Sequence, residues 1–385
     1  MKSIQNGFVL LLATVLLLVE PVAQADTVSP DVPAPPNFKA SSYILIDYHS
    51  AKVLAERHAD NKVEPASLTK IMTSYVAAEA IQSGAIGLDD TTTVSEKAWR
   101  MEGSRMFIEV NKQISVDELL QGIIIQSGND ASVAIAEYVS GSEEVFASVM
   151  NQHVKRLGME NSSFANSTGL PDPETYTTAR DMAKLAIQFI RDFPNIYGRF
   201  SVKEYTYGGI SQRNRNRLLT RDPSVDGFKT GHTEAAGYCL VSSAKRGDMR
   251  LVAVVMGTGS DAARTEASQA LLNYGFRFFE TRKIYSADEV IAQAKVWKGE
   301  QKSVGVGVQS DLFVTFPRGK YAEISAAAEI ANAVEAPIEL SQNIGQVVLK
   351  FQNKPLVTVP LTAITAVAKG SLFSRLIDEV LMRLE

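Results

Sequence analysis

The chain has 385 residues, 45% of them hydrophobic and 21% charged, with a formal net charge of −4. That length suffices for two domains, and an acidic balance without basic clusters excludes nucleic acid as a partner. Cys239 is the only cysteine, which excludes an intrachain disulfide, and His49, His58, His153 and His232 lack any H-E-x-x-H or Cys-His spacing, so neither a metal nor another cofactor is expected.

The chain opens on Met1-Lys2, an apolar run from Phe8 to Val19, and Ala23-Gln24-Ala25. A cationic start, an apolar core and an A-x-A site predict a secretory signal over 1–25, with a mature chain from Asp26. The apolar stretch is too short to span a bilayer comfortably. Val28 to Asn37 is proline-rich and reads as a linker. Ser42 to Glu56 reads as a hairpin turning near Tyr48 to Ala51, with His49 and His58 on its surface. Helical spacing dominates from Pro65 to about Asp192 and puts His153 on an exposed helix position. Strands are predicted near Phe200 to Gly208, Val225 to His232, Gly237 to Ala244 and Met249 to Met256, then a helix from Asp261 to about Glu280. Cys239, mid-strand, reads as a small core residue. Strands at both ends with helices inserted between them predict an α+β unit, an antiparallel sheet between helix layers, over 26–284. Short β-runs at Val304 to Val308, Leu312 to Phe316, Val347 to Phe351 and Leu356 to Val359 predict a small all-β domain over 285–368. Residues 369–385 read as an amphipathic helix.

Three short motifs carry the chemistry. Ser67-Leu68-Thr69-Lys70 begins a run whose apolar positions Leu68, Ile71, Met72, Tyr75 and Val76 fall at helical spacing, so Ser67 and Lys70 share a face. A serine hydroxyl needs an adjacent base, and a lysine serves once burial and nearby positive charge lower its pKa. At a helix start the Ser67 N–H is also free to meet a developing oxyanion. Ser242 to Lys245 repeats S-x-x-K on a β-type run, where a three-residue step points the side chains apart. Ser341 to Asn343 repeats S-x-N. Ser127-Gly128-Asn129 lies between helical runs; Gly128 suits a left-handed helix end, and Asn129 or Asp130 suits a cap for the next helix. In its functional reading, the Ser127 hydroxyl relays protons and the Asn129 amide meets a substrate carbonyl. Lys229-Thr230-Gly231-His232 lies on a strand, where Gly231 removes a side chain at a close backbone approach and an extended peptide can add as a further strand. Lys229 and Thr230 supply charge and a hydroxyl for a carboxylate.

S-x-x-K, S-x-N and K-T-G in this order form the active-site signature of penicillin-recognising serine acyltransferases. With Asn166-Ser167-Thr168-Gly169-Leu170, Thr178-Ala179-Arg180-Asp181-Met182-Ala183, Asn214-Arg215-Asn216, Val225-Asp226-Gly227 and Phe276-Arg277-Phe278-Phe279-Glu280, nearly the whole chain resembles low-molecular-mass penicillin-binding proteins of the D-alanyl-D-alanine carboxypeptidase type. The resemblance implies Ser67 as nucleophile, Lys70 as base, and Ser127 and Asn129 in the second motif. It further implies the N–H groups of Ser67 and His232 as oxyanion hole, and Lys229, Thr230 and Arg264 on the terminal carboxylate. The substrate would be the pentapeptide stem of peptidoglycan, with β-lactams as acylating inhibitors, on the periplasmic face of the cytoplasmic membrane.

Two other functions compete. A β-lactamase of the rapid class would carry a glutamate in an E-x-x-x-N segment, and none lies between Asn129 and Lys229, so slow penicillin turnover is expected. A non-catalytic wall-binding or sensing module would not need both Ser67 and Lys70. Gly257-Thr258-Gly259-Ser260-Asp261-Ala262 imitates a dinucleotide fingerprint, but the short turn Lys245 to Asp248 makes the preceding strands antiparallel; the segment is expected to bring Arg264 toward Lys229. Asp181 and Arg215 are read as an ion pair beside the site, or Asp181 as a helix cap. From Ser371 to Glu385, Leu372, Phe373, Leu376, Ile377, Val380, Leu381 and Leu384 cover one half of the helical wheel, and Arg375, Asp378, Glu379, Arg383 and Glu385 the rest. Lys369-Gly370 is read as a flexible joint, and such a helix in the resembled family lies on a membrane surface. With three acids against two arginines, burial of the leucines is expected to dominate, giving weak, largely salt-insensitive attachment. The competing reading packs this helix on the β domain.

Overall fold

The computed structural model describes residues 32–384; the signal segment 1–25 and the start of the proline-rich linker lie outside them. The central sheet has five strands in the spatial order Val53–Arg57, Ser42–Asp47, Met249–Thr258, Gly237–Arg246, Val225–Thr233, all antiparallel. Val225–Thr233 is therefore an edge strand. Asp47 ends the first strand by accepting from the N–H groups of His49 and Ser50 at 3.0 and 2.7 Å, which closes the expected hairpin turn. Ile44 and Ile46 join the core that contains Ala186 and Phe189 of the helix Ala179–Asp192. Leu45, one residue out of phase, lies against Gly275 of the helix Asp261–Phe278. Alternate residues thus face opposite helix layers, which is why Leu251 to Met256 is buried without a polar break. The α+β layering follows the sequence expectation.

A second unit starts where that last helix ends. The strand Phe279–Tyr285 pairs with Leu312–Pro317, and six further strands form a sheet in the order Ile324–Ile330, Asn343–Phe351, Lys354–Ala363, Ser303–Gly307, Ala292–Trp297, Val334–Glu335. Its core is built from side chains such as Val296, Val306, Phe316, Val347 and Leu361. The first hairpin touches this unit directly. Thr281 Oγ1 donates to Asp47 Oδ2 at 2.7 Å, Lys52 Nζ donates to the Thr315 carbonyl at 3.1 Å, and the His49 ring stacks on Phe313 at 4.3 Å. His49 is accordingly half-buried, whereas His58 is exposed.

Four expectations need correction. The predicted strand from Phe200 is shorter: Gly198–Ser201 is a 3-10 turn, and Glu204–Tyr207 pairs with Ile210–Arg213 as a separate hairpin. His153 is buried, with Nε2 3.0 Å from Glu79 Oε2 and its ring edge-on to Tyr75. Asp181 does not pair with Arg215; its carboxylate accepts from Asn161 N and Ser162 Oγ, each at 2.9 Å, and lies 3.2 Å from Lys184 Nζ, while Thr178 caps the helix. Lys369-Gly370 is no loose joint, because Lys369 bridges to Gly299 and Gly370 N donates to the Lys298 carbonyl at 2.8 Å.

The C-terminal helix Leu372–Met382 reverses the usual way an amphipathic helix docks. One of its acids points inward: Asp378 is 3% exposed and accepts from Lys298 N at 2.6 Å and from Lys302 Nζ at 2.8 Å. The apolar side is left outside, with Phe373 75% and Leu384 77% exposed. The helix does pack on the β unit, but through its polar face.

Candidate active site

Ser67 lies in the 3-10 turn Ala66–Leu68 that leads into the helix Thr69–Gln82. The turn is wedged between two backbones. A side chain at Gly169, whose φ is +76°, would meet the Ala66 carbonyl at 1.9 Å, and one at Gly231 would meet the Pro65 carbonyl at 2.8 Å. Both glycines let main chain approach main chain. Gly231 thereby seats the edge strand of the sheet beside the serine, the close approach anticipated from its sequence context.

Lys70, on the first helical turn, is 1% exposed. Its Nζ lies 2.7 Å from Asn129 Oδ1, 2.6 Å from the Thr168 carbonyl and 3.2 Å from Ser67 Oγ. Asn129 Nδ2 donates to the Glu102 carbonyl at 2.6 Å, which fixes the amide so that its oxygen faces the lysine. Burial first, and then the Arg215 guanidinium, lower the Lys70 pKa to about 7. A neutral amine has two N–H donors and one lone pair. Asn129 Oδ1 and Thr168 O can only accept and take both donors, so the lone pair is left for the Ser67 hydroxyl. The arrangement is that of a base aimed at a nucleophile.

The second motif departs from its expected geometry. The helix Val116–Gln121 widens into a π-turn, Gly122–Gln126, and it is Ser127 that takes the left-handed conformation, at φ +63°, while Gly128 is extended. A π-turn at a functional position inserts one residue and re-aims the next side chain. Asn129 makes no side-chain bond to the first turn of the following helix, and Asp130 accepts from one of its N–H groups, Ala131 N at 2.9 Å. Asp130 also accepts from the N–H groups of Met106, Phe107 and Ile108 at 3.0, 2.8 and 3.2 Å. It thus holds the loop that supplies Glu102 O to Asn129. Spacing alone could not reveal this role, because the partners stand more than twenty residues away.

Lys229 is 3% exposed, and its Nζ donates to Ser127 Oγ at 2.9 Å. Burial, followed by Lys70, Arg215 and Arg264, pushes its pKa well below the ordinary lysine value. Arg264, on the first turn of its helix, donates to the Gly231 carbonyl at 3.0 Å and to Asp261 at 2.5 Å, while its buried Nε has no partner. Asp261 also pairs with Arg217 at 2.6 Å. The strands before Gly257 are antiparallel, so the glycine run is no dinucleotide site and delivers Arg264 to the cleft. Ser67, Ser127, Thr230, Gly231, His232 and Arg264 line one cleft of about 1020 Å³, which Arg215 also enters. Arg215 is the cleft residue whose place the sequence did not reveal. The motif copies lie elsewhere: Ser242 Oγ is buried against the Ala253 carbonyl at 3.4 Å, and Ser341 belongs to the β unit. Among the described residues no His, Cys, Asp and Glu side chains gather to hold a metal.

The loop Asn166 to Leu170 supports Lys70 from below. Asn166 Oδ1 accepts from Thr168 N, Thr168 Oγ1 and Gly169 N at 3.1, 2.9 and 2.7 Å, which orients the Thr168 carbonyl. Glu143 accepts from Ser167 N and Oγ beneath the same loop.

Known proteins match this architecture along its length. The D-alanyl-D-alanine carboxypeptidase family of serine peptidases matches residues 28–260, and the penicillin-binding protein 5 C-terminal domain matches 279–369. The D-alanyl-D-alanine carboxypeptidase DacC of Escherichia coli K12 is 43% identical over 356 residues, covering 90% of this chain and 89% of the relative. DacA of the same organism is 40% identical over 357 residues, covering 91% and 89%. The crystal structure of penicillin binding protein 5 from Haemophilus influenzae superposes with a TM-score of 0.85 at 41% identity, covering 88% of this chain and all of that one. With a lysine lone pair aimed at a serine inside that shared architecture, the chain belongs to the D-alanyl-D-alanine carboxypeptidase family.

Proposed function

We propose that the protein removes the terminal D-alanine from the pentapeptide stems of peptidoglycan through an acyl-enzyme on Ser67. The carrying observation is the partner set of Lys70, in which two obligate acceptors leave the lone pair to the serine. The substrate lies along the edge strand Val225–Thr233 as an added strand. Lys70 takes the Ser67 proton as Oγ attacks the carbonyl of the penultimate D-alanine, and the N–H groups of Ser67 and His232 hold the oxyanion. Ser127 passes a proton to the departing D-alanine amine, and water then frees the acyl group. Lys229, Thr230 and Arg264 bind the terminal carboxylate, and the second N–H of the Asn129 amide reaches the acyl-side carbonyl. β-Lactams acylate the same serine. Asp261 in the cleft is held by two arginines, which supports slow deacylation of penicillin.

Fluorescent-penicillin labelling and D-alanine release from a pentapeptide test this reading. Ser67→Ala should lose both with its fold intact, and Lys70→Arg should slow acylation about 100-fold or more. Labelling that persists on Ser127 or Ser242 would overturn it.

The same reading divides the chain into an exported signal over 1–25, a peptidase domain over 26–284, a β domain over 285–368 and a membrane-associating helix over 369–385. No helix among the described residues is long and apolar enough to cross a membrane. The outward apolar face of the last helix supports peripheral attachment at the periplasmic side, with the leucines buried among acyl chains.

A further inference from the structure

Between the C-terminal helix and the β unit lies a pocket of about 580 Å³, with Lys298, Glu335, Lys369, Leu372, Arg375 and Leu376 in its wall. Its charges are unevenly matched. The two carboxylates, Glu335 and Glu379, both lie 2.7 Å from Lys298 Nζ, and Arg383 also reaches Glu379 at 3.2 Å. Lys369 and Arg375 then remain as cations without a carboxylate partner among the described residues. The Arg375 Nε is buried and has no hydrogen-bond partner. A buried, unsatisfied guanidinium N–H calls for an anionic acceptor.

The apolar rim specifies the kind of anion. Leu372 and Leu376 belong both to the pocket and to the exposed apolar side of the helix. Asp378, held by Lys298 N and Lys302, fixes the roll of the helix so that this side stays outward. One ligand class meets a cationic recess that opens onto an apolar surface: an amphiphile with a phosphate and acyl chains.

We propose that Arg375 and Lys369 bind the phosphate of an anionic phospholipid, whose acyl chains run along Leu372 and Leu376. This rests on the membrane-attachment reading above and deepens it. It also revises the charge count made from sequence, because Asp378 and Glu379 are neutralised within the protein and do not oppose an anionic surface. Attachment should therefore respond to lipid charge and to salt.

The test sediments the full mature chain with phosphatidylcholine vesicles, with or without added phosphatidylglycerol. Wild type should bind both, and roughly tenfold or more tightly when phosphatidylglycerol is present. The pair Lys369→Gln and Arg375→Gln should abolish that gain and keep the phosphatidylcholine binding, with penicillin labelling as the check on folding. Lys354→Gln, outside the pocket, should keep the gain. A gain that survives the double substitution, an equal loss from Lys354→Gln, or equal wild-type binding to both vesicles overturns the headgroup pocket and leaves membrane attachment standing. Binding to neither vesicle overturns attachment and the pocket together. Equally tight binding of inorganic phosphate at Arg375, read from its side-chain NMR signal without vesicles, would assign the pocket to a free anion.

Discussion

In the proposed mechanism, the reactivity of this site is set by a count of hydrogen-bond donors at Lys70. A charged lysine has three donors and no lone pair, and could not accept the Ser67 proton. Burial supplies most of the force that neutralises it, and Arg215 adds to it by placing a positive charge in the same cleft. Acylation by penicillin should therefore rise with pH through about 7 and level off above it. Replacing Arg215 with Gln removes a charge that disfavours the ammonium, so the midpoint should move upward, with a lower rate at neutral pH and recovery in alkali. A rate that falls equally at every pH would give Arg215 a role in binding only. Arg264 offers a second test at this scale. If its guanidinium meets the substrate's carboxylate, Arg264→Gln should weaken turnover of a free-acid peptide by about 1.5–3 kcal/mol and barely affect the corresponding amide. Equal losses would restrict Arg264 to holding the Gly231 carbonyl.

At the scale of elements, the site is assembled where two glycines admit close backbone contacts. Gly231→Ala would push a methyl group toward the Pro65 carbonyl, which belongs to a turn that is itself locked against Gly169. Relief must come from separating the edge strand from the serine turn. Stability should fall by roughly 1–3 kcal/mol, and acylation should slow by more than that loss of folded protein explains. Thermal melting and labelling kinetics on the same sample separate the two effects. The C-terminal helix has its own latch. The hydrogen bond from Lys302 holds the Asp378 carboxyl below its ordinary value of 3.8. A depressed carboxyl contributes stability that is complete above the unfolded pKa and is lost as pH falls through the folded one. Amide exchange in Leu372–Met382 should thus be slow near neutrality and accelerate below about pH 4, ahead of exchange in the sheet core. Uniform protection on acidification would remove Asp378 as the latch.

Across the whole molecule, the last helix contacts the β unit, and the catalytic cleft is complete without it. A chain ending at Lys369 should keep its penicillin-labelling rate and lose vesicle binding. A changed labelling rate would couple the helix to the cleft.

The motifs, the layer order and the amphipathic helix were legible in the sequence because they depend on local spacing. Ser67 and Lys70 three apart at a helix start, short β-type runs between turns, and a half-wheel of apolar residues all depend on neighbours close in the chain. Other features were decided only when distant segments met. Ser127, not Gly128, took the left-handed position because a π-turn shifted the register, and Asp130, besides its bond from Ala131 N, bound three N–H groups from another loop. His153 was buried by Glu79 and Tyr75, and Arg215 turned into the cleft away from Asp181. The inward turn of Asp378 likewise depended on Lys302, 76 residues earlier. In each case a polar group was committed by a partner from another part of the chain, because a polar group that leaves water must find one.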